Sequence, residues 1–142
     1  MKAILPAAVC VILGVSSGVA LAEGVPMKPG KWEMKTTIEM PMLPQPKVST
    51  TTDCIRKTQL SPGDMMNQDR QQGCTVSDVA VSGNTVRWKV ECPSPEGSMR
   101  GEGEVTSNGT SVDGKSRMTA NIQGRMMIFK TTWSGRRIGE CD

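Results

Sequence analysis

Residues 99–133 read MRGEGEVTSNGTSVDGKSRMTANIQGRMMIFKTTW, and two turns inside this stretch decide the fold class. Asn108-Gly109 is a strong hairpin signal, because both residue types tolerate the positive φ that tight hairpin turns need. A two-residue loop there pairs Val105 with Val112, Gly103 with Gly114, Gly101 with Ser116 and Met99 with Met118. A second two-residue loop at Gln123-Gly124 pairs Ala120 with Met127, Met118 with Phe129, Ser116 with Thr131 and Gly114 with Trp133. Both registers turn the same residues inward: Met99, Val105, Val112, Met118, Met127, Phe129 and Trp133. Arg100, Glu102, Glu104, Asp113, Lys115 and Arg117 then point outward. A slip of one residue in either hairpin inverts its faces, so the agreement of two separately placed turns argues for adjacent antiparallel strands. Gly101, Gly103 and Gly114 surround the Trp133 position, and glycine inside a strand marks a bend, a bulge or a close approach. The expectation is a strongly curved sheet with an indole lying over bare backbone.

Upstream, the same period-two alternation recurs. In residues 32–40 one face carries Trp32, Met34, Thr36, Ile38 and Met40, and the other carries Glu33, Lys35, Thr37 and Glu39. Pro41 stops this strand, and Met42-Leu43-Pro44-Gln45-Pro46 reads as a Pro-rich loop. Residues 48–54 alternate again with a Thr-rich body suited to strand. Ser61-Pro62-Gly63-Asp64 is the one helix signal, with Ser at the N-cap and Pro at the first helical position. That helix should be short and end before Gly73. Residues 85–92 place Val86, Trp88, Val90 and Cys92 on one face, with residues 74–81 as hairpin partner. Two registers fit. A two-residue Gly83-Asn84 loop pairs Val81 with Val86. A three-residue loop pairs Ala80 with Val86, Val76 with Val90 and Cys74 with Cys92, and is preferred because it gathers both cysteines on the apolar face. It also turns Asp78 inward opposite Trp88. The fold expected is mainly β: an antiparallel up-and-down meander of about seven strands, curved into a small barrel or half-barrel, with one short helix.

Residues 1–22 have the form of a signal peptide. Lys2 is a short basic start, an apolar stretch follows, and Ala20-Leu21-Ala22 is an A-x-A site that places cleavage before Glu23. Residues 23–142 then form a single β-rich domain, periplasmic or secreted, and no later stretch reaches the ~20 apolar residues of a membrane span. Lys2 is the only charge in the leader, so sixteen basic and fourteen acidic residues remain, a net +2. That balance is too even for a nucleic-acid footprint. Aromatics are Trp32, Trp88, Trp133 and Phe129, while ten Met follow Met1. The core volume therefore comes from thioethers, Val, Ile and three indoles, an adaptable but poorly specified mixture.

Cys10 leaves with the leader, so Cys54, Cys74, Cys92 and Cys141 remain. An even number in an exported domain implies two disulfides, with three connectivities open. Spacings of 20, 18 and 49 residues without a single His do not suit a zinc site. The preferred hairpin register selects Cys74–Cys92, which leaves Cys54–Cys141.

Pro29-Gly30-Lys31-Trp32-Glu33, the Met-Pro loop at residues 40–46, Thr51-Thr52-Asp53-Cys54-Ile55, the Val86/Trp88/Cys92 strand, Gly101-x-Gly103 and a closing Arg137-Ile138-Gly139-x-Cys141 occur in that order. In this order they resemble the small exported bacterial family called the domain of unknown function numbered thirty-six seventeen. The resemblance covers about residues 26–142 and implies an exported β-rich domain with no catalytic residues to carry over. Lys31 stands where the family usually has an apolar residue.

Zero His and zero Tyr exclude a Ser–His–Asp or Cys–His nucleophile, an HExxH zinc site and a Tyr general acid. The expectation is a non-enzymatic binding or structural module of the cell envelope, without cofactor, metal or membrane anchor. A small apolar ligand would be held by Trp32, Trp88 and Trp133 in the mouth of the barrel. The competing expectation is that these indoles simply fill the core. Alternatives are soft-metal Cu(I) binding by Met34, Met40, Met42 and Met27, and a protein-interaction or inhibitor module that offers the Pro-rich loop to an envelope protein. An enzyme with paired carboxylates is disfavoured because Glu102 and Glu104 face solvent; Asp78, turned inward, is the exception to watch.

Overall fold

The computed structural model describes residues 24–68, 73–95 and 97–142. The leader and the cleavage position before Glu23 lie outside them. Strands β1 (Val25–Pro26), β2 (Gly30–Glu39), β3 (Lys47–Ile55) and β4 (Gln59–Leu60) precede helix α1 (Pro62–Gln68). Strands β5 (Thr75–Ser82), β6 (Thr85–Ser94), β7 (Gly97–Ser107), β8 (Ser111–Ile122) and β9 (Arg125–Gly139) follow. Seven strands form one antiparallel sheet in the order β3-β2-β9-β8-β7-β6-β5. The sheet does not close, since β3 and β5 are both edges, so the architecture is an open half-barrel rather than a barrel. Strands β5 to β9 are a simple meander. The N-terminal hairpin β2–β3 joins it by docking β2 beside the last strand, β9.

One face of this sheet carries the core. Val86, Trp88, Val90, Cys92, Val105, Val112 and Trp32 are buried there, with Trp133, Met118, Met99 and Met34 packed against them. The paired short strands β1 and β4 cover part of this face: Val25, Met27 and Leu60 are buried and belong to the same cluster. Met65 of α1 packs against it. The predicted inward set thus lies on one face, with Met127 and Phe129 half-buried.

The three hairpins whose registers the sequence predicts differ in an instructive way. At Gln123-Gly124 the expected register holds, Ile122 pairing with Arg125 and Gly114 with Trp133. Both loop residues have positive φ (53° and 76°), as a type I′ turn requires. At Asn108-Gly109 the loop is wider. Ser107 pairs with Val112, Val105 with Gly114, Gly103 with Ser116 and Gly101 with Met118. The expected pairs Val105–Val112, Gly103–Gly114, Gly101–Ser116 and Met99–Met118 are therefore off by two residues. The inward face is unchanged, because a shift of two preserves side-chain alternation. The cause lies in distant chain. Gly109 bridges to Met27, and its carbonyl accepts the Lys28 N–H at 2.7 Å. The Ser107 hydroxyl donates to the Pro26 carbonyl and accepts the Gly109 N–H. The Asn108 side-chain carbonyl accepts the N–H groups of Thr110 and Ser111 at 3.0 and 2.8 Å.

In the β5–β6 hairpin both anticipated registers occur, one at each end. Near the turn Val81 pairs with Val86 across a two-residue Gly83-Asn84 loop, so the preferred three-residue loop is incorrect there. Farther out Val76 pairs with Val90, and Cys74 bonds Cys92. A bulge at Asp78-Val79 takes up the difference, with Asp78 at φ 51°. The bulge also corrects the inward placement of Asp78. Its carboxylate is 65% exposed and lies 3.0 Å from the Lys89 ammonium.

At α1, Ser61 and Asp64 cap each other. The Asp64 N–H donates to Ser61 Oγ at 3.2 Å, and the Ser61 N–H and hydroxyl donate to Asp64 Oδ2 at 3.2 and 2.7 Å. This is a capping box with Asp in place of Glu. Lys57 adds an ion pair to Asp64. Burial raises the Asp64 pKa, but the hydrogen bonds from Lys57 and Ser61 outweigh it and hold the carboxyl below its ordinary value.

Candidate functional site

The three indoles occupy different situations. Trp32 is fully buried, and its Nε1–H donates to the Lys28 carbonyl at 2.9 Å. Trp88 is 4% exposed, whereas Trp133 is half-buried. The Trp88 and Trp133 rings lie 6.5 Å apart at 41°. Each of these two rings covers a glycine on the neighbouring strand: Trp133 covers Gly114, and Trp88 covers Gly103. The expected gathering of Gly101, Gly103 and Gly114 around Trp133 is therefore incorrect for two of the three. Gly101 sits under Met118. The device recurs at Met34, whose thioether lies over Gly135. Large side chains laid over bare backbone are how a chain poor in aromatics fills its core.

The methionines considered for Cu(I) are dispersed in kind: Met27 is buried, Met34 packs on the core, Met40 is half-buried and Met42 is 66% exposed. Among the described residues no group of three His, Cys, Asp or Glu is placed to hold a metal ion. No helix among the described residues is long and apolar enough to cross a membrane.

Two hollows lie on the outward face. One, of about 570 Å³, is floored by two rows of side chains running across β6, β7, β8 and β9. The first row is Arg87, Glu104, Lys115 and Thr132; the second is Lys89, Glu102, Arg117 and Lys130. The other, of about 470 Å³, lies between the loop of residues 40–46 and Ile128. Arg117 and Lys130 line both, so the two hollows adjoin at this pair.

The charges in these rows are not equivalently satisfied. Glu104 accepts Arg87 at 2.9 Å and pairs with Lys115 at 3.1 Å. The hydrogen bond from Lys115, with that from Arg87, outweighs desolvation and lowers the Glu104 pKa. Asp78 engages Lys89. Arg117 and Lys130 stand directly opposite each other on β8 and β9, and neither forms an ion pair among the described residues. Glu102 flanks the first and Glu39 the second in the register. Like charges directly opposed across a strand pair are destabilising. The register expected from the Gln123-Gly124 turn already sets Arg117 opposite Lys130; sequence reading places Arg117 outward but does not single out Lys130, because alternation marks both as ordinary solvated positions.

The motifs at the two chain ends meet at one corner. The Arg137 Nε–H donates to the Pro29 carbonyl at 2.8 Å. Arg136 pairs with Glu33 at 2.9 Å and Lys31 with Asp142 at 3.0 Å. Cys54 bonds Cys141 beside them. The disulfides are thus Cys54–Cys141 and Cys74–Cys92, as expected.

An open, disulfide-tied β half-barrel whose opening P-G-x-W-E segment is pinned to its closing R-I-G-x-C segment is the class these features define. The chain belongs to the family DUF3617, protein of unknown function, whose model matches residues 27–141. No curated protein and no solved structure matches it.

Proposed function

We propose that this chain is an exported, non-enzymatic binding module, and that its ligand seats on the outward face across Arg117 and Lys130. The ligand class is a compound joining an anionic group to an apolar body. Lys2, the apolar stretch after it and Ala20-Leu21-Ala22 support export, and two disulfides fit an oxidising compartment. The observation that carries the binding reading is the directly opposed Arg117–Lys130 pair, without an ion pair among the described residues, where two hollows adjoin. An anionic group between the two cations relieves their repulsion. Met40, Leu43, Pro44 and Ile128 supply an apolar wall beside it. The indoles, by contrast, lie in a packed cluster and serve this reading as core.

The test is a titration of isotope-labelled protein with dodecyl phosphate below its micelle concentration, followed by amide shifts. Shifts at Arg117, Ile128, Lys130 and residues 40–45, abolished by the double change Arg117→Ser and Lys130→Ser, are expected. Shifts confined to the indole N–H signals, or none, would overturn the reading.

A further inference from the structure

We infer that the free edge of β3 pairs antiparallel with the same edge of a second copy of this chain, with Thr50 on the two-fold axis. The two sheet edges are managed differently. Edge strand β5 is broken by the Asp78-Val79 bulge, a recognised way of blunting an edge. Edge strand β3 is nine residues long, runs in unbroken register against β2 and has no proline inside it. Residues 47–54 are all exposed. A strand of this kind presents a row of unpaired N–H and C=O groups, a template for another strand.

The side chains say what pairs there. Only alternate residues of an edge strand aim their backbone groups outward, so in a two-fold antiparallel pairing the two residue numbers must sum to an even number. Pro46 has no N–H and bounds the strand at one end; Cys54, bonded to Cys141, bounds it at the other. The centre of the stretch between them is Thr50. Pairing about Thr50 sets Lys47 against Asp53 of the partner subunit, Val48 against the partner's Thr52 and Ser49 against the partner's Thr51. The Lys47–Asp53 pair occurs twice, once on each side of the axis. Within one chain neither Lys47 nor Asp53 forms an ion pair among the described residues. Small and β-branched hydroxyl residues at the centre pair well across antiparallel strands. The dimer joins two seven-stranded sheets into one continuous sheet.

Sedimentation equilibrium of the disulfide-bonded protein from micromolar to millimolar concentration should show a reversible dimer. Lys47→Asp or Asp53→Lys alone puts like charges at both ends and should weaken it about tenfold or more. The two changes together restore opposite charges and should restore the dimer. Amide exchange in β3 should slow with protein concentration in the wild type and need about tenfold more protein or higher to do so in either single variant, while protected amides in the central strands β8 and β9 report that the variants are folded. A monomer throughout the range would overturn the inference, as would a dimer indifferent to both charge reversals.

Discussion

Gly114 lies directly across from Trp133, and the indole covers the backbone that a side chain would otherwise screen. A Cβ built at Gly114 falls 2.5 Å from Trp133 Nε1, and one at Gly103 falls 2.7 Å from Trp88 Cε2. Both distances are shorter than a carbon contact allows, so a side chain at either position must displace a ring. Gly114→Val and Gly103→Val should each cost about 1–3 kcal/mol. Gly139→Val, where an added Cβ meets no described residue within 4 Å, should be neutral or slightly stabilising. Urea unfolding of the three variants checks this, and Gly114→Val combined with Trp133→Leu should cost less than the two separate changes summed.

The two disulfides should contribute unequally. Cys54–Cys141 closes 87 residues and Cys74–Cys92 closes 18. Chain-entropy arguments assign roughly 4.5 kcal/mol to the first and roughly 3 kcal/mol to the second. Replacing Cys54 and Cys141 together by Ser should therefore lower Tm more than replacing Cys74 and Cys92. An equal or reversed order would place the main effect in the native state rather than in the unfolded chain.

The capping box gives a pH-dependent term. The folded Asp64 pKa lies below its ordinary value, so its contribution is fully present above the unfolded carboxylate pKa near ~3.9. It is lost as pH falls through the lower folded value, because the unfolded state then binds the proton first. Asp64→Ala should cost about 1 kcal/mol at neutral pH. The gap between wild type and variant should close as pH falls through the lowered folded value. A gap that stays constant with pH would mean the carboxylate charge plays no part.

At the bulge, Asp78 has a left-handed backbone at φ 51° and an exposed ion pair with Lys89. The backbone should matter more than the charge, since exposed pairs contribute about 0–1 kcal/mol. Asp78→Gly and Asp78→Asn should be close to neutral, while Asp78→Val should destabilise by about 1–2 kcal/mol. Thermal melts of the three variants separate the two effects.

The proposed export makes a direct mass prediction. The protein recovered outside the cytoplasm should begin at Glu23, after the Ala20-Leu21-Ala22 site. Intact-mass spectrometry under oxidising conditions should also find four fewer hydrogens than the reduced chain, from the two disulfides.

Strand faces, turn positions, both disulfides and the Trp133–Gly114 contact were legible in the chain itself. Faces, turns and the Trp133–Gly114 contact follow from alternation over a few residues or from a turn whose residues favour positive φ, and such signals are local; Cys74–Cys92 follows from a hairpin register and Cys54–Cys141 by elimination. The tertiary structure decided the rest. A shift of two residues leaves the pattern of inward and outward side chains untouched, so the sequence around Asn108 could not report the register that contacts from Pro26, Met27 and Lys28 impose. The Asp78 bulge arises because the turn demands one register and the Cys74–Cys92 bond the other, and neither end of the hairpin alone reveals the conflict. The docking of β2 against β9 joins strands almost a whole chain apart, which no local period encodes. The opposition of Arg117 and Lys130 follows from the local Gln123-Gly124 turn, whereas the wall that residues 40–46 raise beside them and the free edge of β3 come from the assembled sheet. The residue pattern says which side of the sheet a side chain occupies, and a tight turn names its neighbours within one hairpin; beyond that, only the assembled sheet says which side chains meet.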